Sequence, residues 1–502
     1  MNAVSASPKP ARAVSAAELR ARVERFLAAC QSPVLIEPGE APFTLAGPSG
    51  LRLTERPDGL LIEVWEEART LGRRVVAIEG EHAGRMELAV TRFGGRMGLL
   101  TLADSAEPRS AALLARGSRE QLRELLRVWL ARQYPLWRID DLSSGADLEH
   151  TLSPAYARAL ISRGTARRAV LAAPGTASDS ALAFGLIWMD YLGRRDRAPV
   201  EGLVLFVAAG AENSTVLRLR HLRVQAALYS YDADGLEQAV ELADHGNLLT
   251  TVEPWRRPRP AHGAASEAWI ERLTRLDGVE AIDSAPGVVS LRVRGLEFAR
   301  LDDSGWHAGI DRKAPAGELE PILALARELA EARRPGLARQ TSFSRRNPEA
   351  WLESVIRKHL RLLDPQLLER PVYGQVPALA GSDRGIIDLL ALDEHGRLCV
   401  IELKASEDPR LPIQALDYWI RVAHHAARAD FARAGYFPGL EVSTVAPRLV
   451  LVAPALAFHP TTETVLSYFA PHVEVERVGL GVKWQSEPRV VVRLAGALRP
   501  GF

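Results

Sequence analysis

Along the first third of the chain, apolar and polar residues alternate in short runs with the two-residue period of half-buried strands. The runs are Pro33–Ile36, Leu51–Thr54, Leu60–Trp65, Val75–Ile78, Met86–Val90 and Gly98–Leu102, and Gly94-Gly95 marks a hairpin turn before the last. The period then lengthens to that of an amphipathic helix over Ser118–Tyr134, with Leu122, Leu125, Leu126, Trp129 and Leu130 on one stripe. From about residue 146 the pattern predicts alternating elements: helix Ser153–Arg163, strand Ala169–Ala173, helix Ser180–Arg194, strand Gly202–Ala208 and helix Gly235–Ala243. A proline- and arginine-rich break from Trp255 to Pro260 precedes short strands Val288–Val293 and Leu296–Leu301 and a helix Leu319–Ala332. The stretch Arg333–Arg346 reads as a basic linker. The last block runs helix, hairpin, helix, strand, helix, strand. The expected domains are a flexible tail (1–20), a β-rich module ending in a helix (21–140), an α/β domain (141–332), the linker (333–346) and a terminal α/β domain (347–502).

The 502 residues are 47% apolar and 25% charged, enough for several folded domains and unlike a disordered or fibrous chain. A formal net charge of +1 gives no bulk attraction to nucleic acid or membrane, so such binding must come from local patches. Two cysteines, Cys30 and Cys399, cannot build a disulfide framework, an iron–sulfur cluster or a four-cysteine zinc site. A reducing, cytoplasmic setting is expected. No apolar stretch approaches the roughly 20 residues of a membrane span, and the first 20 residues lack a secretory core. No phosphate-binding Gly-x-x-x-x-Gly-Lys loop is present, so no built-in ATPase is expected. Basic residues are almost all arginine; the lysines are Lys9, Lys313, Lys358, Lys404 and Lys483. Each lysine therefore invites a specific reason.

Candidate chemistry concentrates in the terminal block. Asn347-Pro348-Glu349 reads as a helix start with an Asn cap, and Leu352, Val355, Ile356 and Leu360 form the buried stripe. Glu353 sits at the margin of that stripe, as a solvated helix acid or as a carboxylate leaning over what the helix packs on. The apolar runs Gly385–Leu392 and Arg397–Lys404 flank Glu394-His395-Gly396, a three-residue hairpin loop with glycine at its left-handed position. Counting outward sets Asp388 across from Glu402, both on one face. Two opposed carboxylates on a buried hairpin need a positive charge between them. Oxygen ligands without His or Cys select Mg²⁺ or Mn²⁺. Lys404 shares the face of Glu402, while Ile401 and Leu403 turn to the other. A compact ammonium suits the holding or polarising of an attacking water. The competing account is a solvated Glu-x-Lys pair on an edge strand. A second helix begins near Pro412; Gln414, Asp417, Tyr418 and Arg421 mark one side, and Ile413, Leu416 and Ile420 the buried side. The first side either touches a phosphate or base near the metal or is a plain polar face.

Glu353, Asp388, Glu402-Leu403-Lys404 and Gln414 with Tyr418 resemble the motif order of the PD-(D/E)XK, or restriction-endonuclease-like, superfamily. The Gly-x-x-Asp-Leu-Leu hairpin, the Val-Ile-Glu-Leu-Lys strand and the Gln-x-x-x-Tyr helix are most similar to RecB-type and NucS-type nuclease domains. The resemblance covers about the last 155 residues, and Ile387 stands where the proline of the motif would be. It implies an αβββαβ core with a mixed central sheet, preceded here by the β-rich module and the middle α/β domain. It also implies a Mg²⁺-dependent (or Mn²⁺-dependent) deoxyribonuclease, more of the endonuclease than the exonuclease type; restriction, repair and defence roles stay open. Asp388 and Glu402 would bind the metal, with the Leu403 carbonyl as a further ligand, and Glu353 would complete the metal shell or act through a water. Lys404 would position water, and Gln414 and Tyr418 would orient the site or the strand. The alternative is an inactive nuclease-like module that binds nucleic acid or protein. A coincidental motif would instead leave Asp388 and Glu402 facing apart. DNA, single-stranded or branched, is the expected partner, without a membrane, and a homodimer is compatible with the sequence. Arg256, Arg257, Arg259, Arg333, Arg334, Arg345 and Arg346 are candidate phosphate contacts, and Trp65, Trp255 and Trp351 candidate stacking residues. The spacing of Ala169–Ala173, Ser180–Arg194 and Gly202–Ala208 mimics that of the terminal block, with Leu171-Ala172-Ala173 in place of Glu-x-Lys. It reads either as a degenerate copy or as the common order of α/β domains.

Overall fold

The computed structural model describes residues 15–496 except 38–42, 46–49, 66–69, 83, 92–96, 107, 233–234, 249, 256–262, 286–287, 311–312, 337–341 and 381–382. Gly94-Gly95, Arg256, Arg257, Arg259 and most of the tail lie outside the described residues. The chain is a mixed α/β protein of two compact units: residues 1–148, 152–166 and 171–174, and residues 149–151, 167–170 and 175–502. No described helix is long and apolar enough to cross a membrane.

The first unit opens with a helix, Ala16–Ala29, capped by the Ser15 hydroxyl, which accepts from the Glu18 amide at 3.2 Å. Residues 16–20, expected in the tail, belong to this helix. Leu19, Val23 and Phe26 face inward and join Leu60, Ile62, Leu88 and Leu100 in one core. That core covers a seven-stranded antiparallel sheet running from Pro33–Ile36 to Met97–Asp104. A helix, Pro108–Gln133, follows, with Leu122, Leu126, Trp129 and Leu130 buried.

A six-stranded sheet comes next. Its strands are β1 (Arg138–Ser143), β2 (Ala157–Arg163), β3 (Ala166–Ala172), β4 (Gly202–Ala208), β5 (Ala226–Tyr231) and β6 (Glu237–Ala239), neighbours in chain order. Helix α1 (Ala181–Asp196) joins β3 to β4, and α2 (Glu212–Leu219) joins β4 to β5. Two expected helices are strands here. Ser153–Arg163 holds β2, whose buried run Ala157–Ile161 has the unbroken apolarity of a central strand; a run that short does not distinguish the two states by periodicity. Gly235–Ala243 holds β6, entered through Gly235 at φ 74°, a left-handed turn that a helix start does not take.

Helix Ala264–Thr274, a five-stranded antiparallel meander from Val279 to Pro315 and helix Leu319–Ala332 share a core around Leu291, Phe298, Ile322 and Leu329. In the basic stretch after it, Arg334 and Arg345 are exposed and Arg333 is not. The Arg333 side chain is fully buried, donates to the carbonyls of Phe343, Arg346 and Arg294 at 2.6, 2.6 and 2.9 Å, and lies 4.7 Å from the Trp351 ring. Burial, reinforced by the Arg294 charge, pulls its pKa down to about 10, so it stays charged at neutral pH. Arg333 and Trp351 are thus removed from the candidate contacts to nucleic acid.

The terminal body follows the order αβββαβ: α3 (Pro348–Lys358), β7 (Tyr373–Ala380), β8 (Asp383–Leu392), β9 (Leu398–Leu403), α4 (Leu411–Ala426) and β10 (Arg448–Pro454). Short helix α5 (Thr462–Leu466), β11 (Val475–Leu480) and β12 (Val490–Ala495) complete it. The sheet is mixed, with strands β7 to β12 in chain order and Thr250–Thr251 beyond β7. Asn347 takes φ 44° without a side-chain cap bond, so the expected Asn cap is a left-handed turn residue before Pro348. Strand β7 escaped the sequence pattern because Gly374 and Pro377 break its alternation.

Replacing Arg333 with Met strands three carbonyls that share one guanidinium, and is expected to cost on the order of 3 kcal/mol in urea unfolding. Arg333→Lys is expected to recover little of it, because a single ammonium lacks the planar fork.

Candidate active site

Hairpin β8–β9 places the two central carboxylates. Leu389, Leu390, Ala391 and Leu392 pair with Ile401, Val400, Cys399 and Leu398. The Asp393 amide donates to the Arg397 carbonyl at 3.0 Å, and Gly396 takes φ 75° in the loop. One step further in this register Asp388 stands opposite Glu402, and the Leu403 amide donates to Asp388 Oδ2 at 2.9 Å. Leu389, Ile401 and Leu403 turn into the core with Trp351 and Val450, so Asp388 and Glu402 face the other way together. They do not face apart, as a coincidental motif would require.

Both carboxyls resist ionisation. Burial pushes Asp388 up to about 6; the Leu403 amide opposes the shift and the Glu353 charge adds to it. Burial, then the charge of Asp388, holds Glu402 well above the usual carboxylate range, with Lys404 opposing. Glu402 is 1% exposed, and its Oε2 is buried without a hydrogen-bond partner. An orphaned oxygen beside a second carboxyl calls for a proton or a cation. The donor set, two carboxylates and a neighbouring main-chain carbonyl, is all hard oxygen and fits Mg²⁺ or Mn²⁺. Mg²⁺ needs only one or two carboxylates because it keeps several waters.

Glu353 does not join them as a third carboxylate. Among the described residues no three His, Cys, Asp or Glu side chains lie close enough to hold one ion. Glu353 is buried on α3 and is engaged by Arg357 one turn on. Gly374 leaves the room for this pair: a Cβ there would fall on the Arg357 guanidinium and 2.7 Å from Glu353 Oε1. Lys404 Nζ lies 3.6 Å from Glu349 Oε1 in the first turn of α3, a partner that the sequence did not single out.

Helix α4 brings Gln414 and Tyr418 together, with Gln414 Nε2 donating to the Tyr418 hydroxyl at 3.2 Å. Tyr418 is buried, and so are Leu411, Ile413, Ala415, Leu416, Trp419 and Ile420, which leaves no simple polar face. The side expected to meet solvent or substrate is covered by α2: Arg218 donates to both oxygens of Asp417, Nε at 2.7 Å and Nη2 at 2.6 Å. Arg218 lies 199 positions away in the chain, so no local pattern announces it. Trp255 packs edge-on against Tyr373 at 4.6 Å, whereas Trp65 is 38% exposed with Arg52 over its ring at 5.8 Å.

No protein-family model matches this chain, and no curated protein does. Among solved structures, Can2 from Sulfobacillus thermosulfidooxidans in complex with cyclic tetra-adenylate is similar at 15% identity, covering 56% of this chain and 74% of that one. The TM-score is 0.15, and the likeness carries no argument.

The raised pKa of Asp388 fixes a sign. Between pH about 4, where the unfolded carboxyl ionises, and about 6, where the folded one does, the metal-free protein is expected to lose stability as pH rises. Added Mg²⁺ is expected to raise the melting temperature more at pH 7.5 than at pH 5, as thermal scans at both values will read. Glu402→Gln, which removes one of two opposed carboxyls, is expected to raise the metal-free melting temperature by roughly 2–4 °C and abolish the Mg²⁺ response.

Proposed function

We propose that this chain is a Mg²⁺- or Mn²⁺-dependent nuclease that hydrolyses phosphodiester bonds of DNA, as an endonuclease. The observation that carries the reading is the pair Asp388 and Glu402, opposed on one face, with Glu402 buried, its Oε2 unpartnered, and Lys404 at the same strand end. The motif resemblance to the PD-(D/E)XK superfamily supports it independently of that geometry.

Asp388, Glu402 and the Leu403 carbonyl would hold the cation. Bound there, a divalent cation supplies Lewis acidity at the phosphoryl oxygens and an attacking water at neutral pH. Lys404, 3.6 Å from Glu349, would orient an attacking water by hydrogen bonding and offset phosphate charge. The Leu403 amide fixes the Asp388 carboxylate through Oδ2. Gln414 and Tyr418 hold one another on α4, and Glu353 with Arg357 contributes a buried, internally balanced charge beside the pair.

The direct test is cleavage of single-stranded, duplex and branched DNA with Mg²⁺, with Mn²⁺ and with chelator. Cutting is expected only with metal, and Glu402→Ala and Lys404→Ala are each expected to lower the rate at least about 100-fold. Lys404→Arg is expected to rescue poorly. Activity that survives both alanine substitutions would remove the site assignment, and binding without cutting would put the inactive-module reading in its place.

A further inference from the structure

The middle α/β body repeats the strand order and the two connecting helices of the terminal one. Strands β1 to β6 are neighbours in chain order, as β7 to β12 are. In each body the first pair is antiparallel, the fourth and fifth strands are parallel and the last pair is antiparallel. The helix after the third strand, α1 in one and α4 in the other, is 16 residues long in both. A shorter helix after the fourth strand, α2 or α5, returns the chain to the fifth. Leu203 N donates to Gln225 O and Leu449 N to Glu474 O, both at 2.9 Å, at the start of the parallel pairing.

The chemistry has not been repeated. Matching α1 to α4 residue by residue sets Phe184 and Trp188 at the places of Gln414 and Tyr418. At the end of β3, Leu171 and Ala173 stand where Glu402 and Lys404 do, and both are fully buried. Neither matched position carries a carboxylate or an ammonium.

The two bodies also meet reciprocally. Helix α1 packs on α5 as α4 packs on α2, and α1 and α4 touch each other between them. Just past α2 and α5 the chain bridges itself at Leu222 and Phe469. Around this bridge Arg223 N donates to Tyr468 O at 2.6 Å, and Ala470 N donates to His221 O at 2.8 Å. His221, Leu222 and Arg223 correspond in order to Tyr468, Phe469 and Ala470, and exchanging the two trios turns each bond into the other. Contacts of i with j and of j with i define an isologous, two-fold interface between subunits. Here one chain makes it with itself, locked by the buried Arg218–Asp417 pair.

We infer that the middle body is a site-less copy occupying the place of a second subunit, so that one chain is a complete pseudo-dimer with a single cleavage centre and opens one strand of a duplex per encounter. The inference rests on the nuclease reading above for its second half. The strands of a DNA duplex are related by local two-fold axes, which a protein with two-fold symmetry and two live centres matches by cutting both. With one live centre, the second strand has no opposing carboxylates.

Two measurements on the full chain test the two halves separately. Light scattering is expected to return the mass of one chain, 54.9 kDa, at micromolar concentration. Twice that mass would overturn the replacement of a partner. Supercoiled plasmid with limiting enzyme and Mg²⁺ or Mn²⁺ is expected to give open circles first, with linear molecules only after further independent nicks. Linear product rising together with open circles would overturn the single-strand step while leaving the nuclease reading intact. If no circle is opened with either metal, the nuclease reading falls and takes the single-strand step with it, and the mass alone then decides the pseudo-dimer.

Discussion

Two carboxyl groups facing each other across a hairpin, one of them fully buried, are the constraint around which the terminal body is arranged. Hairpin register forces Asp388 and Glu402 together, because the alternation that sends Leu389, Ile401 and Leu403 to the core sends them to the opposite face. A hydrophobic core could not tolerate such a pair without compensation. What surrounds it is compensation of limited strength: one amide on Asp388, and one lysine that is itself drawn toward Glu349. Arg357, the other nearby cation, is spent on Glu353. Four carboxyls, Asp388, Glu402, Glu353 and Glu349, thus stand against Lys404 and Arg357, and that excess is what would give the site its affinity for a cation in the proposed reading.

Support for the pair comes from beyond the terminal body. Helix α4 carries apolar residues almost all round because it is covered on both sides, by its own sheet and by α2. Arg218 reaches across to Asp417, next in sequence to Tyr418, so the position of α4 over the sheet depends on the middle body. Trp419 adds a bond to the Pro447 carbonyl at 2.8 Å and an edge contact with His221. The helix cannot shift toward or away from the carboxylates without breaking one of these.

How much of this could be read from the sequence follows the range of the interactions. The hairpin, its glycine loop and the shared face of Asp388 and Glu402 are local, fixed by alternation and turn chemistry, and they were legible. So were strand β4 and helix Leu319–Ala332, whose patterns are long and unambiguous. Strand β2 was not, because five consecutive buried residues carry no period. The fates of Arg333, Asp417 and Glu353 were hidden for another reason. Each is decided by partners that the pattern does not encode: three carbonyls, a guanidinium from another helix, and a neighbour on the same turn that removes a carboxylate from the cluster.

The apolar substitutions in the repeated body bear on how the molecule divides its labour. Holding two ionisable groups in a dry place is a standing destabilisation, and a homodimer would carry it twice. Leu171, Ala173 and Trp188 turn the same positions into close-packed interior. One half of the fold is thereby free to be as stable as packing allows, and the other can keep a locally unfavourable arrangement because it is clamped to a neighbour that has none. Mutational tolerance should divide along the same line, with the site-less half governed by volume and shape and the other by charge.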